Sequence, residues 1–223
     1  MAGLADRKRE ATARGVDVID LGAGDSDLAP PPAATDALAR SIQDPAPSRY
    51  PFQLGLPAFR EKVSEFMADR FGVEVDPFTG LLPLIGSKEG IAKLPLATLD
   101  PGDVAILPDP GYQAYFGGVT FAGGEPWSVP LRPENDFLIP WGDVPEDVLA
   151  RTRLIFINYP NNPTAAVAPD SWIRETIEVC REHRIVLAHD NAYSEVAFDG
   201  YRPRSLLEFD GADEVAVEFH SMS

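Results

Sequence analysis

The 223-residue sequence is poor in cysteine, histidine, basic residues and long apolar runs, and each scarcity removes a class of function. Cys180 is the one cysteine, so no internal disulfide can form. Its place in the amphipathic stretch IRETIEVCREH reads as a buried structural thiol rather than a nucleophile. The three histidines, His183, His189 and His220, lack zinc spacing, and no metal site is expected. The apolar runs at 154–157 and 185–188 fall far short of the roughly 20 residues that a membrane helix needs. The first twenty residues are charged and lack the apolar core of a secretory signal, which points to the cytoplasm. Lysine and arginine number 19 against 35 acidic residues, a formal net charge of −16. A field of that sign repels phosphate backbones, so nucleic acid is not an expected partner and the acidity reads as a solubility device.

What is present is a punctuated α/β pattern. The hydrophobic share of 44% suits one large domain, or one domain with a piece of another. The 22 prolines and 18 glycines separate short apolar runs. Periodicity predicts a polar helix near the start, helices over 33–43 and 57–71, and a buried face on the latter made of Phe59, Val63, Phe66, Met67 and Arg70. Further on, strands are expected at 81–87, 104–108, 125–130, 154–160, 185–191 and 215–221. Helices over 88–98, 112–121 and 169–183 fall between them. Buried strands alternating with helices imply a mostly parallel sheet covered on both faces. In such sheets ligands bind beyond the carboxyl ends of the strands.

Five strand ends carry small, polar or aromatic residues: 86–88, 109–112, 158–164, 190–193 and 221–223. Gly86-Ser87-Lys88-Glu89-Gly90 joins a strand to a helix. It reads either as a plain helix start capped by Ser87, or as backbone N–H groups presented to an anion. Asp190 follows an apolar strand, where a carboxylate either caps the next turn or meets a cationic partner. Tyr159-Pro160-Asn161-Asn162-Pro163-Thr164 places rigid turns after a buried strand, with the Asn162 amide as a donor. Any single element is ordinary turn chemistry; five together suggest one site.

The sequence resembles the class I/II (fold-type I) aminotransferases, enzymes that use pyridoxal 5'-phosphate, and most of all the LL-diaminopimelate aminotransferase-like branch. The stretches that carry the resemblance are GAGDSDL (22–28), RYPFQLGLPAFR (49–60), LIGSKEGI (84–91), PDPGYQAY (108–115), NYPNNPT (158–164), HDNAYSE (189–195) and EFHSMS (218–223). They span nearly the whole chain in family order. The resemblance implies an N-terminal arm and small-domain segment over 1–45 and part of the cofactor-binding large domain over 46–223. It also implies that Ser87 and Lys88 hold the cofactor phosphate through backbone N–H groups and that Tyr112 stacks on the pyridine ring. Asn162 and Tyr193 would hydrogen-bond the phenolic oxygen, and Asp190 would pair with the pyridinium nitrogen. Ser221 and Ser223 belong to a Ser-x-Ser-Lys element on the phosphate side. Tyr50 is similar to the tyrosine that reaches the second subunit's site in a homodimer, and Gly24 to a glycine bordering the substrate carboxylate.

Two departures matter. Ala165 stands where the family has glycine, a position where a side chain strains the backbone. The Schiff-base lysine is expected directly after Ser223, so no catalytic residue is assigned within the sequence; Lys88 and Lys93 do not match its position. The resemblance thus implies amino transfer between an amino acid and a 2-oxo acid. A truncated, non-catalytic aminotransferase-like chain, or another fold-type I enzyme such as a carbon–sulfur lyase, stands as the alternative.

Overall fold

A computed structural model describes residues 2–20, 28–46 and 55–222. The chain divides into two compact units, Met1–Pro51 and Phe52–Ser223. The first holds α1 (Ala2–Ala13) and α2 (Pro32–Ser41), the latter opening on proline at its first position, where the missing N–H costs no helical bond. Neither helix presents a fully buried side chain among the residues described, and Lys8 pairs with Asp20 at 2.6 Å.

The second unit opens with α3 (Pro57–Phe71), which begins on proline and ends at Gly72 in the left-handed conformation, φ 69°. Its buried residues are Arg60, Met67 and Phe71. Of the expected face, Met67 is buried and Val63, Phe66 and Arg70 are half-buried, whereas Phe59 is exposed. Arg60 takes the inward place because its guanidinium lies over the Phe78 ring and donates to the Leu81 carbonyl at 3.1 Å. Residues 81–87, expected as a strand, form an irregular approach to α4 (Ser87–Thr98). Pro83 lacks a ladder donor, and Leu82 and Ile85 face solvent.

The remaining elements follow as β1 (Val104–Asp109), α5 (Gln113–Ala122), β2 (Glu125–Pro130), α6 (Glu146–Arg151), β3 (Thr152–Ile157), α7 (Asp170–His183), β4 (Val186–Asp190) and β5 (Ala216–Phe219). The five strands form one sheet in the order β2-β1-β3-β4-β5, with every pairing parallel. Side chains alternate between faces along each strand, and the two apolar cores record it. Leu154, Phe156, Ala188 and Phe219 pack with Ile91 of α4 and Tyr115 and Val119 of α5. Ile155, Ile157 and Leu187 pack with Trp172, Ile173, Ile177 and Cys180 of α7 on the other side. The sheet is thus covered on both faces, as the alternating pattern implies. Burial pushes the Cys180 thiol up to about 12, in keeping with a structural role.

Glycine makes one close approach possible. A Cβ on Gly90 would lie 2.5 Å from a Phe219 ring carbon and 2.6 Å from Leu84 Cδ1, so the first turns of α4 can sit against β5. The second glycine of GSKEG therefore serves packing. No described helix is long and apolar enough to cross a membrane.

Candidate functional site

Parallel strands end at one edge of the sheet, and the described site residues gather there. Asp190 is the last residue of β4 and only 7% exposed. Its Oδ2 accepts a hydrogen bond from the Tyr115 hydroxyl at 2.8 Å, whereas Oδ1 is buried and has no partner among the described residues. Burial pushes the Asp190 carboxyl above its usual range, opposed by the Tyr115 hydrogen bond and the charge of His189. The same burial, reinforced by the adjacent carboxylate, drives the Tyr115 phenol far up, so its proton stays in the bond to Asp190.

Tyr115 is held from two sides. Its ring stacks on Phe156 of β3, centroids 4.6 Å apart, and meets Tyr112 edge-on at 5.8 Å. Tyr112 is partly exposed just before α5, and the Lys88 ammonium lies 5.4 Å from its centroid. A continuous line of contacts therefore runs from the start of α4, through Lys88, Tyr112 and Tyr115, to Asp190.

Ser87 is not the cap that the motif suggested. Gly86, at φ 136°, is the N-cap, and Ser87 is the first helical residue with no side-chain capping bond. The glycine takes that place because its backbone angles suit no side chain. Glu89 instead folds back, accepting from the Ile85 N–H at 2.9 Å and pairing with Lys93 at 2.6 Å. The N–H groups of Ser87 and Lys88 open the helix, where geometry provides no intrahelical acceptor.

A second line starts from Asn158, just past β3. Its amide donates to the Asp190 carbonyl at 2.6 Å, and its side-chain oxygen accepts from the Asn162 N–H at 2.8 Å. That couples the turn after β3 to the end of β4. From the turn, Asn162 Nδ2 donates to the Tyr193 hydroxyl at 3.0 Å. Ala165 adopts φ 59°, the left-handed conformation foreseen at that position, and its N–H closes the turn onto the Asn161 carbonyl at 2.8 Å.

Lys88, Tyr112, Asn162, Asp190 and Tyr193 thus belong to one contact network, and Ser87 precedes Lys88 as the first residue of α4. Ser221 lies two residues past β5, the strand beside β4. Gly24, Tyr50 and Ser223 lie outside the described residues. Sequence reasoning assigned no role to Tyr115 or Asn158. The available signals were a tyrosine three residues after Tyr112, on the same helical face, and an asparagine closing an apolar strand. On the opposite face of the sheet, a cavity of about 240 Å³ is walled by Tyr159, His189, Tyr201, Arg204 and Leu206, among others, so it is separate from the strand-end network.

Residues 16–223 match the family described as aminotransferase class I and II. The LL-diaminopimelate aminotransferase of Desulforudis audaxviator is 50% identical over 99% of this chain and 55% of its own length. The apo structure of BacF from Bacillus subtilis superimposes with a TM-score of 0.92 at 35% identity, over 100% of this chain and 56% of that one. A probable N-succinyldiaminopimelate aminotransferase from Thermus thermophilus gives 0.87 at 39% identity, over 99% and 59%. The chain spans somewhat more than half the length of the relatives it matches.

Proposed function

Since this chain belongs to the class I and II aminotransferase family, we propose that the whole protein transfers an amino group between an amino acid and a 2-oxo acid, with pyridoxal 5'-phosphate held at the strand ends. The names of the relatives favour LL-diaminopimelate as the amino-acid substrate.

The carrying observation is the buried Oδ1 of Asp190, which has no partner among the described residues. A buried carboxylate oxygen without a donor is costly, and a protonated pyridine nitrogen is the donor and counter-charge that it lacks. The rest of the network fits the same group. The first N–H groups of the 12-residue helix α4 suit its phosphate, and the partly exposed Tyr112 ring offers an aromatic face. Because Asn162 donates to the Tyr193 oxygen, the Tyr193 proton is free to serve the phenolic oxygen. Ser221 and Ser223 are assigned to the phosphate side, Gly24 to the substrate carboxylate, and Tyr50 to the second site of a homodimer.

When bound, pyridoxal phosphate supplies the electron sink and carries the amino group between substrates. Asp190 holds the proton at the ring nitrogen. Tyr115 fixes the carboxylate so that one oxygen is committed and the other is presented to the ring. Asn158 ties the Asn162 turn to the Asp190 backbone, so the acceptor for the ring nitrogen and the donor for the phenolic oxygen would keep a fixed separation.

The test is to load the full-length protein with pyridoxal phosphate and follow its visible absorption as LL-diaminopimelate, aspartate, aromatic and other amino acids are added. LL-diaminopimelate should change the spectrum and yield the corresponding 2-oxo product; no response to any amino acid refutes amino transfer. Asp190→Ala should cut turnover by at least about 100-fold, since the charge facing the ring is lost. Full activity in that variant would reject the assignment of Asp190.

A further inference from the structure

Behind Asp190, on the other face of the sheet, lies a second buried polar cluster that the proposed reaction does not use. His189 and Glu218 are paired across β4 and β5. They face the α7 side, with Leu187 and Leu206, whereas Asp190 faces Tyr115. The His189 and Glu218 side chains are 4% and 2% exposed.

The hydrogen bonds determine where the protons are. His189 Nε2 lies 3.0 Å from the Tyr159 carbonyl oxygen, which can only accept, so Nε2 carries a hydrogen. His189 Nδ1 lies 2.9 Å from Glu218 Oε2, which already accepts from the Leu206 N–H at 2.8 Å. Glu218 Oε1 faces the Ser205 hydroxyl at 2.7 Å and His220 Nε2 at 2.7 Å. With four partners converging on its two oxygens, Glu218 is in the acceptor-only, ionised form. Burial works against that charge, but the bonds from His189 and His220 outweigh it and hold the carboxyl well below its usual range. With Glu218 ionised, a hydrogen on Nδ1 as well would complete the 2.9 Å contact to Oε2.

The His189 ring sits one residue from Asp190, with its side chain almost wholly buried. The titratable groups acting on Asp190 are Tyr115 from α5 and His189 from β4 itself. The Nε2 contact also pins the turn after β3, which carries Asn162, to β4.

We propose that His189 is a positioning residue for the cofactor site: a buried imidazolium, held by Glu218 and the Tyr159 carbonyl, that keeps Asp190 anionic from behind and locks the Asn162 turn to β4. This rests on the reading of Asp190 as the partner of the ring nitrogen, but its test does not depend on cofactor.

In cofactor-free, full-length protein labelled with ¹⁵N-histidine, both His189 ring nitrogens should show proton-bearing, imidazolium shifts at neutral pH. A nitrogen with the shift of an unprotonated imidazole overturns the proposal without any variant being made. The Asp190 carboxyl ¹³C resonance should titrate higher in His189→Gln, and likewise in Glu218→Gln, by at least about 0.5 pH unit. An unchanged midpoint in a folded variant overturns the coupling to Asp190. A purely structural role for His189 would lower the melting temperature and leave that midpoint in place. If the wild type failed to bind pyridoxal phosphate, the proposed function would fall, while these resonances would still decide the state of His189.

Discussion

Asp190 combines two demands that conflict in an isolated protein: it is buried, and its proposed task needs it charged. Burial pushes its carboxyl up, and the Tyr115 hydroxyl pushes it back. A carboxyl whose folded-state pKa is raised contributes stability that is complete below the unfolded value and is lost as pH rises through the folded value. Tyr115→Phe removes one lowering influence while leaving the stack on Phe156 intact. The cofactor-free variant should therefore lose more stability between acid and neutral pH than the wild type does, as read by denaturant titration across that range. Pyridoxal phosphate should bind about tenfold more weakly, the equivalent of one hydrogen bond to a charged group, as measured by equilibrium titration. Tyr115 was present in the matching stretch PDPGYQAY, but no residue pattern says that its hydroxyl reaches a carboxylate 75 positions away.

At the scale of elements, periodicity located the helices and strands to within a few residues wherever a helix or strand buries one consistent face, as in α7 and β1. It failed at 81–87 because an apolar run does not by itself acquire a ladder partner, and Pro83 withholds a donor. It placed α3 at its observed bounds and Met67 inside, but misplaced Phe59, because Arg60 goes inward to reach Phe78 and Leu81, contacts invisible to a hydrophobicity count. The turn after β3 was read correctly at Ala165, where the left-handed backbone is occupied by a residue with a Cβ. That conformation costs an L-residue about 1–2 kcal/mol, partly offset by the greater unfolded-state freedom of glycine. Ala165→Gly should therefore stabilise the protein by about 0.5–1 kcal/mol, seen as a higher midpoint in thermal unfolding without cofactor. A lower midpoint would mean that the Ala165 side chain makes compensating contacts.

Across the whole molecule, Glu218 ties β5, β4 and the 205–206 segment into one unit through four hydrogen bonds. Its folded-state carboxyl lies below the ordinary 4.5. A depressed carboxyl contributes stability that is complete above the unfolded value and is lost as pH falls through the folded one. The protein should accordingly lose stability steadily once pH drops below about 4.5. Glu218→Gln should flatten that acid limb and cost about 3 kcal/mol at neutral pH, because it leaves His189 beside an amide rather than a charge. Urea unfolding of both proteins across the acid range checks the slope and the offset together. An acid limb of equal steepness in the variant would show that other carboxylates govern it.

The sequence by itself determined the layered parallel architecture, because strand and helix periods are local and each element must bury its apolar side. It also determined which strand ends carry polar residues, and it supplied motifs that name a family. Only the tertiary structure decided how those ends cooperate: that Tyr115 holds Asp190, that Asn158 joins β3 to β4, that Gly86 rather than Ser87 caps α4, and that a buried His189–Glu218 pair lies behind the site. Apart from the local cap at Gly86, each of these is a contact between residues distant in the chain. It depends on strand order, register and side-chain direction, quantities that no local pattern encodes.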